Sequence, residues 1–224
     1  GLLVKTDGRY RTEPSAAPLL SADAPESILP MVLHMGTVWQ NWSHITDIVQ
    51  GKTTPSLNKG TLSKDNRKAF IGAMHVVASK AAPAVVAAVN PGQARRLLDV
   101  GGGSGTYTLA FLEAAPAMQA TLFDLPPVIE MARDRVQAAG MVGRVTLTAG
   151  DFYKDELPPG HDLALLSAII HQNSSAQNEA LYGKIYRALD SGGRIVVRDH
   201  VMSADRTQPL DRRLGTQLSV QPAV

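Results

Sequence analysis

The 224-residue chain contains no cysteine. That excludes a disulfide framework and thiolate metal sites, and it fits a reducing compartment. Neither charge is in excess: 22 Lys+Arg against 20 Asp+Glu leave a net +2. So small a balance, with no block of like charges, argues against nucleic acid or an acidic membrane surface as partner. No apolar run approaches the roughly 18 residues needed to cross a bilayer. The N-terminus lacks the charged-then-apolar pattern of a signal peptide. These absences read as a soluble, cytoplasmic protein. What is abundant is apolar material: 44% of residues are hydrophobic, enough for one α/β domain and a smaller helical piece.

The first ninety residues and the rest follow different patterns. Asp7-Gly8 between two short alternating runs predicts a hairpin. From Glu26 to Gln50, Met31, Met35, Val38, Trp42, Ile45 and Val49 recur at helical spacing and predict one amphipathic helix. A second such pattern runs from Phe70 to Ala88, where Pro83 should kink or divide it. From about Arg95, apolar runs alternate with helical stretches. The strands are expected at 96–100, 120–124, 144–148, 162–169 and 194–198, the helices near 105–115, 127–139 and 176–190. That alternation predicts an α/β fold with a Rossmann-like, doubly wound parallel sheet. The organisation expected is a hairpin and helical region over 1–90 and a ligand-binding α/β domain over 91–224. The tail from Asp211 to Val224 carries no clear helical or strand pattern.

The sharpest feature is Leu97-Leu-Asp-Val-Gly-Gly-Gly-Ser-Gly-Thr-Tyr107. Glycine after a buried strand lets the backbone approach a ligand, and the following helix offers unpaired N–H groups. The dinucleotide pattern G-x-G-x-x-G fails in both registers, because its last glycine would be Thr106 or Thr108. The pattern present is acid-x-G-x-G-x-G: Asp99, Gly101, Gly103, Gly105. A merely tight turn would not need three spaced glycines and a strand-end acid. Asp124 ends the next strand, where a carboxylate can accept from both hydroxyls of a ribose; a plain helix N-cap ahead of Pro126-Pro127 is the bland alternative. Asp151 follows the third strand in Gly150-Asp-Phe152, which alone is a common turn.

Together with Leu122-Phe-Asp-Leu-Pro-Pro-Val128, His171 and Leu189-Asp-Ser-Gly-Gly-Arg-Ile-Val-Val-Arg-Asp199, these segments resemble the class I S-adenosylmethionine-dependent O-methyltransferases related to the caffeic acid and hydroxyneurosporene enzymes. The resemblance runs to about residue 210. It implies S-adenosyl-L-methionine as cofactor, held by Asp99, Gly101, Gly103, Gly105, Asp124, Leu125, Asp151, Phe152 and Ser167. It implies SN2 transfer of a methyl group to a hydroxyl, phenolic for preference, of a small-molecule acceptor. His171 falls at the general base of the family and Asp199 at the acid that orients it. Met74 falls in a helix that clamps the acceptor, with His75 as a further pocket residue. A winged-helix start, a homodimer and a chain truncated at both ends are also implied. The family's His-Asp-Trp turn is His171-Gln172-Asn173 here, so the bonding around the histidine must differ.

The residues support that chemistry independently. His171 lies just past the fourth strand and Asp199 ends the fifth, and ligands of open α/β sheets bind outside the carboxyl ends of strands. An acid beside a histidine fixes its tautomer and stabilises its charged form. A lone histidine more often caps or packs; the matching acid favours catalysis. No ligand-spaced cluster of acids and histidines suggests a metal. The other classes considered are a cofactor-binding homologue that does not methylate, an enzyme that uses the cofactor for other chemistry, and a nucleic-acid binder, which the charge balance opposes.

Overall fold

The computed structural model describes residues 1–53, 62–200, 202, 203, 205 and 207, and the backbone of 216–222. The chain divides into two compact units, Gly1–Val77 and Ala78–Val224. The division falls inside a helix.

In the first unit, β1 (Leu3–Thr6) and β2 (Arg9–Thr12) pair antiparallel. Asp7 and Gly8 between them hold φ of +49° and +76°, the two-residue turn whose twist matches a hairpin. A short helix α1 (Ala17–Leu20) follows. The single helix expected over 26–50 is two, α2 (Leu29–Trp42) and α3 (Ile45–Val49). At the break, the Ser43 hydroxyl donates to the Trp39 carbonyl at 2.9 Å, a local bond that competes with helix continuation. The apolar stripe of α2 is only partly covered: Met31 and Val38 are half-buried and Met35 and Trp42 exposed, and Val32, Leu33 and Trp39 beside it are exposed too.

Helix α4 (Lys64–Val89) begins in this unit. A Cβ on Gly72 would stand 2.7 Å from the Pro30 Cβ, so glycine is what lets the first turn of α2 approach it. Pro83, expected to kink or divide the helix, leaves it undivided. An interior proline costs about 3 kcal/mol; burial of Ala82, Val85, Val86 and Val89 in the core of the second unit offsets it. By length and mean hydropathy alone α4 also qualifies as a bilayer-crossing helix, contrary to the sequence reading, but those four residues are core.

The second unit is built on a six-stranded sheet of order β5-β4-β3-β6-β7-β8. Its strands are β3 (Arg96–Val100), β4 (Gln119–Asp124), β5 (Val145–Ala149), β6 (His161–Ser167), β7 (Leu189–His200) and β8 (Thr216–Pro222). The first five are parallel. Leu97, Leu163, Leu165 and Val196 on one face pack with α4 and α5 (Thr106–Ala114). On the same face Leu122 meets α6 (Pro126–Ala138) through Ile129 and Ala132. Leu98, Val100, Ala164 and Leu166 on the other face pack with α7 (Ser175–Ala188). Both faces are therefore apolar, which is why these strands read as continuous hydrophobic runs. Strand β7 is longer than predicted. The tail differs more: Thr216–Pro222 pairs antiparallel with β7 from Arg194↔Pro222 to His200↔Thr216. Leu218 and Val220 provide a two-residue alternation there, too short to stand out without its partner. The rest of the tail, 208–215 and 223–224, lies outside the described residues.

Candidate active site

The chain order reverses between β3 and β6, so the carboxyl ends of the strands flank a switch point, where open α/β sheets bind ligands. The glycine turn leaves β3 there. Gly101, Gly103 and Gly105 all hold positive φ, at +70°, +59° and +79°. At Gly101 a Cβ would stand 2.8 Å from the Ile169 Cδ1 and 3.5 Å from the Phe152 ring, whereas at Gly103 it would meet nothing within 4 Å. The turn is thus packed from behind at one glycine and open at the other.

Two carboxylates secure the turn. Asp99 lies beneath it, buried, and accepts from the Thr108 hydroxyl at 2.6 Å. Burial pushes its pKa up to about 6 against the opposing pull of Thr108, and the Asp124 charge raises it further. Asp124 closes β4. One of its oxygens accepts the Gly103 amide at 2.8 Å, the other the Leu125 amide at 2.7 Å. Burial raises its pKa while both amides lower it. The N-cap of α6 is Leu125, not Asp124. Two N–H bonds leave roughly two of a carboxylate's four lone-pair sites for a ligand.

Beyond β6 the backbone turns sharply. Ala168 takes φ of +56°, with its amide on the Arg198 carbonyl at 2.8 Å. A 3-10 turn, Ile170–Gln172, then presents His171. Its Nδ1 lies 2.7 Å from one Asp199 oxygen, and its backbone amide donates to the other at 3.3 Å. Asp199 is 2% exposed and also accepts the His200 amide at 2.8 Å. An ionised carboxylate only accepts, so Nδ1 carries the proton and Nε2 of the neutral ring presents a lone pair. The ring remains 39% exposed, against 1% for the Asp199 side chain. A buried carboxylate thus holds an imidazole that solvent can reach.

The loop after β5 carries Asp151 and Phe152. The Asp151 carboxylate turns into its own loop, accepting the Tyr153 amide at 3.0 Å, with the Lys154 ammonium 3.3 Å away. Lys184 on α7 donates to the Phe152 and Asp155 carbonyls at 2.9 and 2.8 Å. Sequence reasoning missed this lysine, whose targets are backbone atoms and leave no trace in side-chain type. It also missed Ala168, a residue type that gives no sign of positive φ.

The structure therefore gathers Asp99, Gly101, Gly103, Gly105, Asp124, Leu125, Asp151, Phe152, His171 and Asp199 at one end of one sheet. Ser167 ends β6 there too, but its hydroxyl is sealed from solvent beside the Tyr107 phenol. Met74 and His75 are half-buried on α4 and belong to the first unit. A cavity of about 460 Å³ opens at the opposite, amino end of the sheet, lined by Asn90, Arg95, Pro116 and Met118 among others. It contains none of the gathered groups.

Known proteins resemble this chain in sequence and in fold. The sequence profile of the O-methyltransferase domain family matches residues 44–222. The chain is 32% identical over 222 residues to 3-hydroxy-5-methyl-1-naphthoate 3-O-methyltransferase of Streptomyces sahachiroi, covering 96% of this chain and 64% of that protein. It is 29% identical over 213 residues to acetylserotonin O-methyltransferase of Bos taurus, covering 90% and 61%. Human N-acetylserotonin methyltransferase, solved with S-adenosylmethionine, superposes with a TM-score of 0.74 at 28% identity over 93% of this chain and 64% of that one. PigF, solved with S-adenosylhomocysteine, shares the fold at a TM-score of 0.75 and 24% identity, over 93% and 66%. The chain spans under two thirds of the length of these relatives. With its profile matched across well over half of the sequence, the chain belongs to the O-methyltransferase family.

Proposed function

We propose that this chain is an S-adenosylmethionine-dependent O-methyltransferase that methylates a hydroxyl, phenolic for preference, of a small molecule, with His171 as general base. The observation that carries the reading is the Nδ1–Asp199 bond of 2.7 Å, which leaves Nε2 to accept a proton at the mouth of the sheet. The residues present fit the cofactor. The turn around Gly103 offers a surface no Cβ obstructs, and Asp124 keeps lone pairs for ribose hydroxyls. Phe152 offers an apolar face for a base.

When bound, S-adenosylmethionine supplies an electrophilic methyl group on a sulfonium. The chain's own residues do the rest. Gly101, Gly103, Asp124 and Leu125 bind and orient. Asp99, bonded to Thr108, holds the turn rather than the ligand. His171 Nε2 takes the hydroxyl proton of the acceptor; a phenol has a pKa near 10, so the proton must be taken as the oxygen becomes nucleophilic. Asp199 accepts from Nδ1 throughout and stabilises the imidazolium that results. A positioned base of this kind contributes typically 10²–10⁴-fold, and alignment of the reacting atoms supplies the larger remainder. Met74 and His75 are assigned to the acceptor by the family resemblance alone.

The test is a screen of phenols with methyl-labelled S-adenosylmethionine, followed by His171→Ala on any acceptor found. Labelled ether in the wild type, lost in the variant while S-adenosylhomocysteine still binds, supports the reading. Cofactor binding without any labelled product favours a non-methylating homologue. We also assign the chain as a homodimer, on the exposed apolar side chains of α2; a monomer in sedimentation at micromolar concentration would contradict that.

A further inference from the structure

The turn that bears His171 is tied to the loop that bears Phe152 by a chain of side-chain hydrogen bonds. Asn178 on α7 donates from Nδ2 to the Ile170 carbonyl at 3.0 Å. Asn173 donates from Nδ2 to the Asn178 Oδ1 at 2.9 Å. The Tyr153 hydroxyl donates to the Asn173 Oδ1. The Phe152 and Tyr153 rings are 4.6 Å apart between centroids.

The direction of this chain is set by chemistry. A carbonyl only accepts, so Asn178 must turn its NH₂ toward Ile170 and its oxygen toward Asn173. Asn173 must then answer with NH₂, leaving its own oxygen for Tyr153. The tyrosine hydroxyl is left to donate. Each member has one orientation that satisfies its neighbours, and the last anchor is the residue immediately before His171. On the other side, Lys184 fixes the carbonyls of Phe152 and Asp155 to α7. The loop and the turn are thus registered on the same helix and on each other.

We propose that Asn173 is a positioning residue that couples the Phe152 loop to the His171 turn, so that a ligand packed on Phe152 biases the orientation of the His171 ring. The proposal rests on the cofactor reading of the Phe152 loop. The link itself is a property of the chain and can be tested separately.

Tyr153→Phe removes only the terminal hydroxyl, at a position 47% exposed, and leaves ring packing in place. Asn173→Asp is the second variant: it keeps the size but sets an acceptor against the Asn178 oxygen. In the ligand-free protein, both variants are expected to speed hydrogen exchange at the Gln172 and Asn173 amides by roughly 5-fold, the worth of one hydrogen bond of about 1 kcal/mol. Unchanged exchange there in both variants overturns the link. In the full chain, S-adenosylhomocysteine is expected to shift the imidazole ¹H and ¹⁵N magnetic resonances of His171 in the wild type and to shift them much less in Tyr153→Phe. Affinity should fall about 3- to 10-fold. A merely structural bond would leave the ligand-induced shift intact, and an identical shift in both proteins overturns the coupling while the cofactor reading stands. If S-adenosylhomocysteine does not bind the wild type at all, the cofactor reading and the coupling both fail, and the exchange result then decides the link alone.

Discussion

At the amino ends of the sheet, Asp162 accepts the amides of Arg95 and Arg96 at 2.8 and 2.9 Å. The Arg144 guanidinium donates to the carbonyls of Leu112, Ala115 and Met118 at 2.8 to 3.1 Å. These groups complete the open end of α5 and the start of two strands, and their bonding capacity is used within the chain. The carboxyl ends are built differently. Positive φ occurs at both ends, at Asn90, Gly92 and Gly160 before the strands and at Gly101, Gly103, Gly105 and Ala168 after them, but only the latter surround an open turn. Asp99 is buried and Asp124 half-buried, both with raised pKa values, and His171 keeps one nitrogen unengaged by any described residue. At the amino end Asp162 and Arg144 are spent on the chain's own backbone. The carboxyl end holds two acids with raised pKa values and an imidazole open to solvent.

That contrast can be broken by substitutions at either end. The largest effect belongs to the carboxyl end: His171→Ala should lower turnover by 10²- to 10⁴-fold on an acceptor found by screening. Its melting temperature and S-adenosylhomocysteine affinity should stay close to wild type. At the amino end, Arg144→Met should cost about 2–3 kcal/mol in urea unfolding, since it removes charged hydrogen bonds from half-buried carbonyls. Its affinity for S-adenosylhomocysteine should be unchanged. Loss of binding from Arg144→Met at full stability would erase the distinction between the ends.

Asp99 sharpens the comparison through pH. Its folded pKa of about 6 lies above the unfolded value near 3.9, so the folded state holds the proton more tightly. Stability from this group is then fully present below about pH 4 and falls as pH rises through 6. Asp99→Asn should be the more stable protein at pH 7, by on the order of 1–3 kcal/mol relative to their difference at pH 4. Parallel urea titrations at the two pH values would show it; a pH-independent difference would refute the buried-acid account. The smallest effect is at Ala168. Replacement by glycine should relieve left-handed strain and stabilise by about 1 kcal/mol in thermal unfolding. A destabilised Ala168→Gly would mean that the turn is not strained.

The sheet was legible in the sequence because strands buried on both faces need unbroken apolar runs, such as Leu163–Leu166. The site was legible where it depends on residue type at a strand end: the glycines after Val100, Asp124, and His171 facing Asp199 from adjacent strands. What escaped depends on partners distant in sequence or on backbone atoms. Lys184 reaches carbonyls 29 and 32 residues away. Strand β8 shows itself only against β7. Periodicity marked Met31, Met35, Val38 and Trp42 as one face of α2 but could not tell that Met35 and Trp42 would stay exposed while Met31 and Val38 are half-buried, because spacing records a face and not what covers it.

On the proposed reading, the carboxyl ends of this sheet hold S-adenosylmethionine with Asp124 as its ribose acid. Calorimetric titration of the full chain with S-adenosylhomocysteine tests it most directly, beside Asp124→Ala. Micromolar binding by the wild type is expected, with a loss of roughly 150-fold or more in the variant, the scale of two hydrogen bonds to a charged group. Equal affinity in both proteins, or no binding by a folded wild type, would contradict it.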